Sequence, residues 1–217
     1  MSNLRAKTHA RSRLAVLDAL IERLDQRPLE AISVRELCEA AGVSEATFFN
    51  HFGSKSAVLV YFVQLWSIEV GWRARETAAS LGPLAAIVDG FERAAADLVA
   101  HPGVMTEVVV HQARLGERPA ITEVTAAERE LRYPDLPGVA SLPAVGLDGI
   151  WPALLADAVA CGELPGDTDV DLVFVSLAAF FFGTPIAVRR VDPRLVGPIW
   201  RAQVGALLAA PPRRRCA

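Results

Sequence analysis

Cysteine is scarce in this 217-residue chain, which contains three: Cys38, Cys161 and Cys216. They are scattered, odd in number, and none has the spacing expected of metal ligands. This pattern argues against a disulfide framework and favours a reducing compartment, in which thiols stay free. The sequence accordingly predicts no metal site and no cofactor.

A strong positive charge is also lacking, because the formal net charge is −3. The total alone does not suggest a nucleic-acid partner, but the distribution of charge matters more. Residues 1–55 carry net +1, from eight basic and seven acidic side chains, whereas residues 56–217 carry net −4. The basic side chains from Arg5 to Arg13 predict a flexible N-terminal arm able to contact a polyanion.

The N-terminus has no uninterrupted apolar run, which argues against a signal peptide. The most apolar segment, Val170 to Val188, has about the length of a marginal membrane span, but charged residues flank it and Gly183-Thr184-Pro185 interrupts it. We interpret it as a buried helix and expect a soluble, cytoplasmic protein without a membrane partner. Period-two alternation is missing after Gly53, so the chain is predicted to be all-α.

The segment from Ile32 to Leu59 carries the signals of two short helices joined by a tight turn. Ser33 and Glu36 have the S-x-x-E spacing of a capping box, in which each residue satisfies an amide of the first helical turn. Gly42 follows the first helix, where a positive φ is needed, and Ser44 can cap the second helix. This layout predicts a helix-turn-helix that presents its second helix to the DNA major groove.

The letters AAGVSEATFFNHFGSKSAVL resemble the signature of TetR-type (TetR/AcrR) bacterial transcriptional regulators, A-x-x-A-G-V-S-x-x-T-[LIF]-Y-x-[HY]-F-x-[SN]-K-x-x-L. One position departs, because Phe49 replaces the tyrosine. The close match covers roughly residues 10 to 60. The resemblance implies a three-helix DNA-binding domain with its basic arm at residues 1–54, and a helical ligand-binding and dimerisation domain at residues 55–217.

The same resemblance implies what the protein does. Family members are homodimeric repressors that bind palindromic double-stranded operators and are released by a small molecule. An isologous dimer presents two recognition helices about one helical turn apart. The apolar, aromatic-rich body favours a hydrophobic or amphipathic effector, which the sequence does not identify.

The residues expected to contact DNA lie on the two helices of the motif and at the start of the next helix: Ser33, Arg35, Ser44, Glu45, Ala46, Thr47, Phe49, Asn50, His51 and Lys55. Three of them are implied to lie at phosphates: Thr47, His51 and Lys55. Three occupy positions at which the family varies, and these should set sequence preference: Glu45, Ala46 and Asn50. The ring of Phe49 is suited to a thymine methyl group, whereas Phe48 and Phe52 are expected in the core.

Two further sets of residues are predicted in the C-terminal body. Candidate walls of an effector pocket are the large side chains Phe62, Trp66, Trp72, Phe91, Met105, His111 and Trp151. The alternative for each of them is simple core packing. The last two helices are expected to form the dimer interface, through Val173, Leu177, Phe180, Phe181, Gly183, Ile199, Trp200, Val204 and Leu208.

Two other function classes stay open at this point. One is a regulator that acts through protein interaction, with a vestigial pocket, because Phe49 and Glu45 are unusual DNA readers. The other is an enzyme built on a helical bundle. No nucleophile–base pair or paired carboxylates stand out, so the sequence predicts that the protein is not an enzyme.

Overall fold

The computed structural model describes residues 2–114, 123–143, 145–188 and 192–214. Within these ranges the protein is all-α, as predicted, with no named strand and one isolated β-bridge. The helices are α1 Ser2–Leu24, α2 Val34–Ala41, α3 Glu45–Phe52, α4 Lys55–Leu81, α5 Pro83–Ala100, α6 Pro102–Arg114, α7 Ala126–Arg132, α8 Gly146–Ala160, α9 Val170–Val188 and α10 Val196–Ala209.

The chain forms two compact units, and the division falls within α4. Unit 1 comprises Met1–Glu69 and His101–Ala144, and unit 2 comprises Val70–Ala100 and Val145–Ala217. Unit 1 therefore contains α1 to α3, the first half of α4, α6 and α7. The boundary predicted between residues 54 and 55 separates a DNA-binding domain from a ligand-binding and dimerisation domain, whereas the two units are defined by their compactness. The functional boundary therefore stays a prediction.

The core of unit 1 is built on α1, which packs against α2, α6 and α7. Leu17 and Leu20 of α1 are fully buried, together with Leu37 of α2 and Phe48 of α3. These residues recur at helical spacing, so each helix contributes one apolar face to a shared core. Burial of that face holds the short helices α2 and α3, which are too short to be stable alone.

The N-terminal segment is helical rather than a flexible arm, because α1 begins at Ser2. The basic residue Arg13 is buried, and its Nη1 lies 2.8 Å from Oε1 of Glu128 on α7. Its guanidinium also stacks over the rings of Phe52 and Tyr61, at 5.1 and 4.2 Å from their centroids. Arg13 is thus removed from the predicted basic arm, because an acidic partner distant in sequence holds it in the interior of unit 1.

Four aromatic side chains pack together in the core of unit 2. Phe91 stacks on Trp151 with ring centroids 5.1 Å apart, and Phe181 stacks on Trp200 at 5.2 Å. The two stacks meet edge to face, the arrangement that aromatic quadrupoles favour. The indole N–H of Trp200 donates to the carbonyl oxygen of Phe180 at 2.8 Å, so its polar atom is satisfied.

Helix α9 differs from the expected helix buried on several sides. It continues through Pro185, and it packs in unit 2 through one face that includes Val173 and Leu177. Apolar side chains on another face are exposed. By length and composition α9 would be able to cross a membrane, and 22% of its most apolar window is buried. A core helix of a globular protein meets the same criterion, so the finding is weak evidence for a membrane.

Candidate nucleic-acid interface

The first helix of the motif begins with the capping box that the sequence predicts. Glu36 N donates to Ser33 Oγ at 3.2 Å, and Ser33 N donates to Glu36 Oε2 at 2.8 Å. Arg27 also binds the Glu36 carboxylate, at 2.7 Å. The Ser33 amide, followed by Arg27 and the Ser33 hydroxyl, lowers the pKa of Glu36 to about 2. The carboxylate is therefore ionised and fixes the start of α2 at neutral pH.

The turn between α2 and α3 depends on Gly42, which adopts φ 65° and ψ 33°. This left-handed conformation is strained for residues that carry a Cβ atom. The amides of Gly42 and Val43 both donate to the carbonyl oxygen of Cys38. The turn closes α2 and directs the chain into α3.

Helix α3 is amphipathic, with its aromatic residues divided between two faces. Ser44 caps it by accepting from Thr47 N at 3.1 Å. Phe48 and Phe52 are buried, as predicted, whereas Phe49 is 52% exposed. Because the buried face anchors α3 in the core of unit 1, the opposite face is presented outward.

The predicted DNA-contacting residues fall into two groups that differ in solvent exposure. Those exposed to solvent are Ser33, Arg35, Ser44, Glu45, Ala46, Phe49 and Asn50. Those partly buried are Thr47, His51 and Lys55. The structure thus brings the three variable positions Glu45, Ala46 and Asn50 to one outward surface with Phe49. Their contacts with DNA stay a prediction.

The side chain of Arg35 is exposed beside this surface and is paired with an acid. Its Nε lies 2.8 Å from Glu39 Oε1, one helical turn away. The Glu39 hydrogen bond and charge raise the pKa of Arg35, and the charge of Glu45 adds to the effect. Solvent screens exposed pairs of this kind and leaves them little net stability, so Arg35 can exchange Glu39 for a phosphate at little cost.

His51 lies at the other end of α3, against a second histidine. The rings of His9 and His51 meet edge to face with centroids 4.4 Å apart. Burial, followed by the charges of His9 and Arg13, lowers the pKa of His51. His51 would therefore reach a phosphate as a neutral N–H donor rather than as a cation.

Lys55 is engaged differently from the predicted phosphate contact. Its Nζ donates to the carbonyl oxygens of Leu29 at 2.8 Å, Glu30 at 3.4 Å and Ile32. Leu29 and Glu30 belong to the 3-10 turn Leu29–Ala31, and Ile32 follows this turn before Ser33 caps α2. An ammonium group has three N–H donors in all. Lys55 therefore holds the entry to the helix-turn-helix.

The candidate effector residues do not gather at one described cavity. Phe62, Trp66, Met105 and His111 belong to unit 1, and Trp72, Phe91 and Trp151 belong to unit 2. Of these seven, His111 alone lines the cavity of unit 1 beside the entry to α2. Phe91 and Trp151 stack on each other in the aromatic core, which corresponds to the packing alternative. That the seven share a pocket stays a prediction.

Five of the candidate dimer residues lie in the core of their own unit. They are Val173, Leu177, Phe181, Trp200 and Val204, each buried within a single chain. A side chain already packed in the core of its own chain offers no surface to a second copy. Exposed neighbours of these five residues therefore take their place in the proposed dimer interface. Phe180, Ile199 and Leu208 are partly buried, and Gly183 is exposed.

Sequence reasoning missed two buried carboxylates of unit 1. Glu128 caps α7 with Thr125 in a second capping box, and the T-x-x-E spacing at residues 125–128 was a readable signal. Glu107 accepts from the amide of Leu29 at 3.1 Å, and no local pattern marks it. Among the described residues, no group of three or more potential metal ligands occurs.

Comparison with known proteins agrees with the motif. The family model described as bacterial regulatory proteins, tetR family, matches residues 16–61. The chain is 47% identical over 47 residues to the HTH-type transcriptional regulator EthR of Mycobacterium tuberculosis. That match covers 22% of this chain and 22% of the length of EthR.

Solved structures are similar over most of the chain. The TetR family regulator PfmR from Thermus thermophilus matches with a TM-score of 0.53 and 20% identity, covering 91% of this chain and 99% of that one. The fatty acid degradation regulator FadR from Bacillus halodurans matches with a TM-score of 0.61 and 15% identity, covering 94% and 97%. At these identities the likeness concerns the fold.

The fold and the motif define a helix-turn-helix protein with a helical C-terminal body. Residues 16–61, which contain the helix-turn-helix, match the TetR family of bacterial regulatory proteins and are similar to the corresponding segment of EthR. The matching family model describes regulatory proteins, and EthR is a transcriptional regulator, so these similarities are to regulators rather than to enzymes.

Proposed function

We propose that this protein is a cytoplasmic, homodimeric repressor that binds a palindromic operator and releases it when a small molecule binds. The observation that carries the proposal is the outward face of α3. It presents Glu45, Ala46, Phe49 and Asn50, while Phe48 on the opposite face is buried. A short helix anchored by one face and exposed along the other is suited to enter the major groove.

Within this proposal, backbone contacts and base contacts come from different residues. Arg35, Ser44 and Thr47 supply donors at the N-terminal ends of α2 and α3, where helix dipoles favour phosphate. Asn50 is suited to read adenine, Phe49 to contact a thymine methyl, and Glu45 to accept from a cytosine amino group.

Dimerisation is proposed through the exposed face of the last two helices. Apolar side chains on α9 are exposed at Leu172, Val175 and Ile186, which recur at helical spacing. On α10 several exposed residues are small, including Ala202 and Gly205. A large apolar stripe beside small residues can bury its surface against a second copy by a two-fold axis.

Release by an effector requires a ligand that binds one dimer geometry more tightly than another. To shift a two-state equilibrium from 1:99 to 99:1, the difference in affinity must be about 10⁴-fold. We keep the seven aromatic, sulfur and imidazole candidates as the proposed contacts of a hydrophobic or amphipathic effector.

Selection of bound sequences from random duplex DNA tests the proposed function directly. We expect enrichment of one palindrome, and we expect Asn50→Ala to weaken binding to it and to relax one base position. Glu76→Ala is the matched control, because Glu76 is exposed in unit 2 on α4. A failure to enrich any sequence, with no salt-dependent DNA affinity, would favour the alternative regulator that acts through protein interaction. The exposed Phe49 is the observation that supports this alternative.

Lys55→Met should weaken operator binding without changing its salt dependence. The expectation from family resemblance is a phosphate contact, whose loss would make the slope of log K against log[salt] shallower by about one. The hydrogen bonds of Lys55 to three carbonyls instead predict an unchanged slope and a weaker affinity, because the entry to α2 loosens. Arg35→Met is the comparison, for which a shallower slope is expected. If the salt dependence of Lys55→Met is as shallow as that of Arg35→Met, the predicted contact between Lys55 and a phosphate is supported instead.

A further inference from the structure

A cavity of about 150 Å³ lies in unit 1, beside the 3-10 turn that enters the helix-turn-helix. Its walls come from that turn, from the first turn of α4 and from α6. They include Leu29, Glu30, Lys55, Glu107, Val110 and His111. None of its lining residues belongs to the aromatic core of unit 2, so this is a separate site.

Two groups of α6 give the cavity its chemistry. Glu107 and His111 are four residues apart and share one face of the helix. The Glu107 side chain is buried in unit 1, where its Oε1 accepts from Leu29 N at 3.1 Å. The Nε2 atom of His111 is buried and has no hydrogen-bond partner among the described residues. A buried polar atom without a partner costs free energy, and a turn of the His111 ring toward the cavity would let a ligand supply the missing hydrogen bond.

The remaining charges at the cavity define the sign of the ligand. Lys55 lines the cavity, but its ammonium group donates to backbone carbonyls. Glu107 and Glu30 are both acidic, so the lining favours a hydrogen-bond donor or a weakly basic group over an anion. A metal ion is disfavoured, because Glu107 and His111 supply two ligands beside an ammonium group, whereas protein zinc sites use three or four.

The volume and the apolar walls define the size of the ligand. A cavity of about 150 Å³ accepts a molecule the size of benzene, with about six to eight non-hydrogen atoms. Leu29 and Val110 provide apolar contacts for such a ring. We propose that this cavity binds a small monocyclic amine, with an N–H group donating to Glu107 and a ring nitrogen or second N–H group bonded to His111 Nε2.

Occupation of this site has a consequence for the helix-turn-helix. Glu107 holds the amide of Leu29, and Lys55 holds the carbonyl oxygens of Leu29 and Ile32, immediately before Ser33 caps α2. An amine on Glu107 competes with the Leu29 amide for the carboxylate and so changes how the turn is held. The cavity is then an effector site, a consequence that rests on the proposed function.

Calorimetric titration of the full-length protein with 2-aminopyridine tests the site, with toluene as a probe of equal size that lacks polar groups. We expect saturable binding of 2-aminopyridine with a Kd of about 1 mM or tighter, within the range open to so small a ligand. Toluene should bind at least ten-fold more weakly. Equal binding of the two would overturn the proposal, because it would indicate an apolar void.

Two variants assign the binding to this cavity. Glu107→Gln keeps an acceptor for Leu29 N but loses the charge, and His111→Phe removes Nε2; each should weaken binding at least ten-fold. Glu22→Gln, at an exposed position of unit 1, should leave it unchanged. Thermal unfolding establishes that the variants fold, and Glu107→Gln decides alone if His111→Phe does not. No saturable binding, or binding that survives Glu107→Gln, would overturn the site.

Operator binding measured with and without 2-aminopyridine separates the site from the proposed function. A change in DNA affinity in the unsubstituted protein, absent in Glu107→Gln, supports an effector site. Amine binding with no effect on DNA overturns the regulatory consequence and leaves the binding site supported. A protein that selects no DNA sequence but still binds the amine overturns the proposed function instead.

Discussion

Glu128→Gln is expected to lower the free energy of unfolding of unit 1 by about 3–5 kcal/mol, the usual cost of removing one partner from a buried ion pair. The carboxylate of Glu128 is completely buried, and Arg13 is 4% exposed. Glutamine keeps the α7 capping box, because Gln serves at its third position as well as Glu. The substitution therefore removes the charge and leaves Arg13 as an uncompensated buried cation.

Few other contacts stabilise the buried charge of Arg13. Its Nη1 donates to the carbonyl oxygen of Glu123 at 3.1 Å, whereas its Nε and Nη2 are buried without hydrogen-bond partners among the described residues. The rings of Phe52 and Tyr61 provide cation–π contacts, which contribute roughly 1–2 kcal/mol at desolvated sites. Burial, followed by the nearby Glu128 charge, raises the pKa of Tyr61, so its phenol is neutral and does not replace the lost carboxylate.

Urea denaturation of single and double variants measures the effect. Glu130→Gln, at an exposed position of the same helix, is the control and should change stability by less than about 0.5 kcal/mol. Arg13→Met combined with Glu128→Gln should recover most of the loss, because it removes the uncompensated buried cation while Gln keeps the α7 capping box. A loss for Glu128→Gln no larger than that for Glu130→Gln would contradict the burial of the pair.

The helix-turn-helix could be predicted from sequence because each of its determinants is local. The capping residues Ser33 and Ser44 and the positive-φ Gly42 all act within about four residues of their partners. Interactions of this range are encoded in spacing, which a single sequence displays.

The partners of the charged residues could not be predicted in the same way. Arg13 was assigned to a flexible arm because its neighbours in sequence are basic, and its carboxylate partner is 115 positions away on α7. Lys55 was placed at phosphate by resemblance, and the carbonyls that accept its hydrogen bonds lie 23 to 26 positions earlier. Spacing along a chain carries no information on such pairings, which depend on tertiary packing.

The sequence also could not identify which face of α9 packs against its own chain. The helix is apolar nearly all round, so periodicity does not distinguish the face buried in unit 2 from the face left exposed. Val173 and Leu177 were chosen for the dimer interface, and the structure places them inside the unit. The exposed Leu172, Val175 and Ile186 are the corrected proposal, which substitution of Val175 tests.

Val175→Asp is expected to dissociate the proposed dimer and to weaken operator binding by about 100- to 10,000-fold. Val175 is 58% exposed in the single chain, at the middle of the apolar face of α9. In an isologous interface each substitution occurs twice, so two carboxylates would be desolvated. DNA affinity falls because a monomer binds only one half-site. In a dimer, binding of the first recognition helix raises the effective concentration of the second at its own half-site.

Val99→Asp is a closely matched control, because Val99 is 52% exposed on α5 of the same unit and lies outside α9 and α10. Sedimentation equilibrium should show a dimer for the unsubstituted protein and for Val99→Asp, and a monomer for Val175→Asp. Thermal unfolding should show that Val175→Asp remains folded, because an exposed side chain contributes little to the core of its own unit. A dimeric Val175→Asp with full operator affinity would place the interface elsewhere. A folded Val175→Asp monomer that still binds a half-site would show that this face of α9 forms the dimer that binds the whole palindrome.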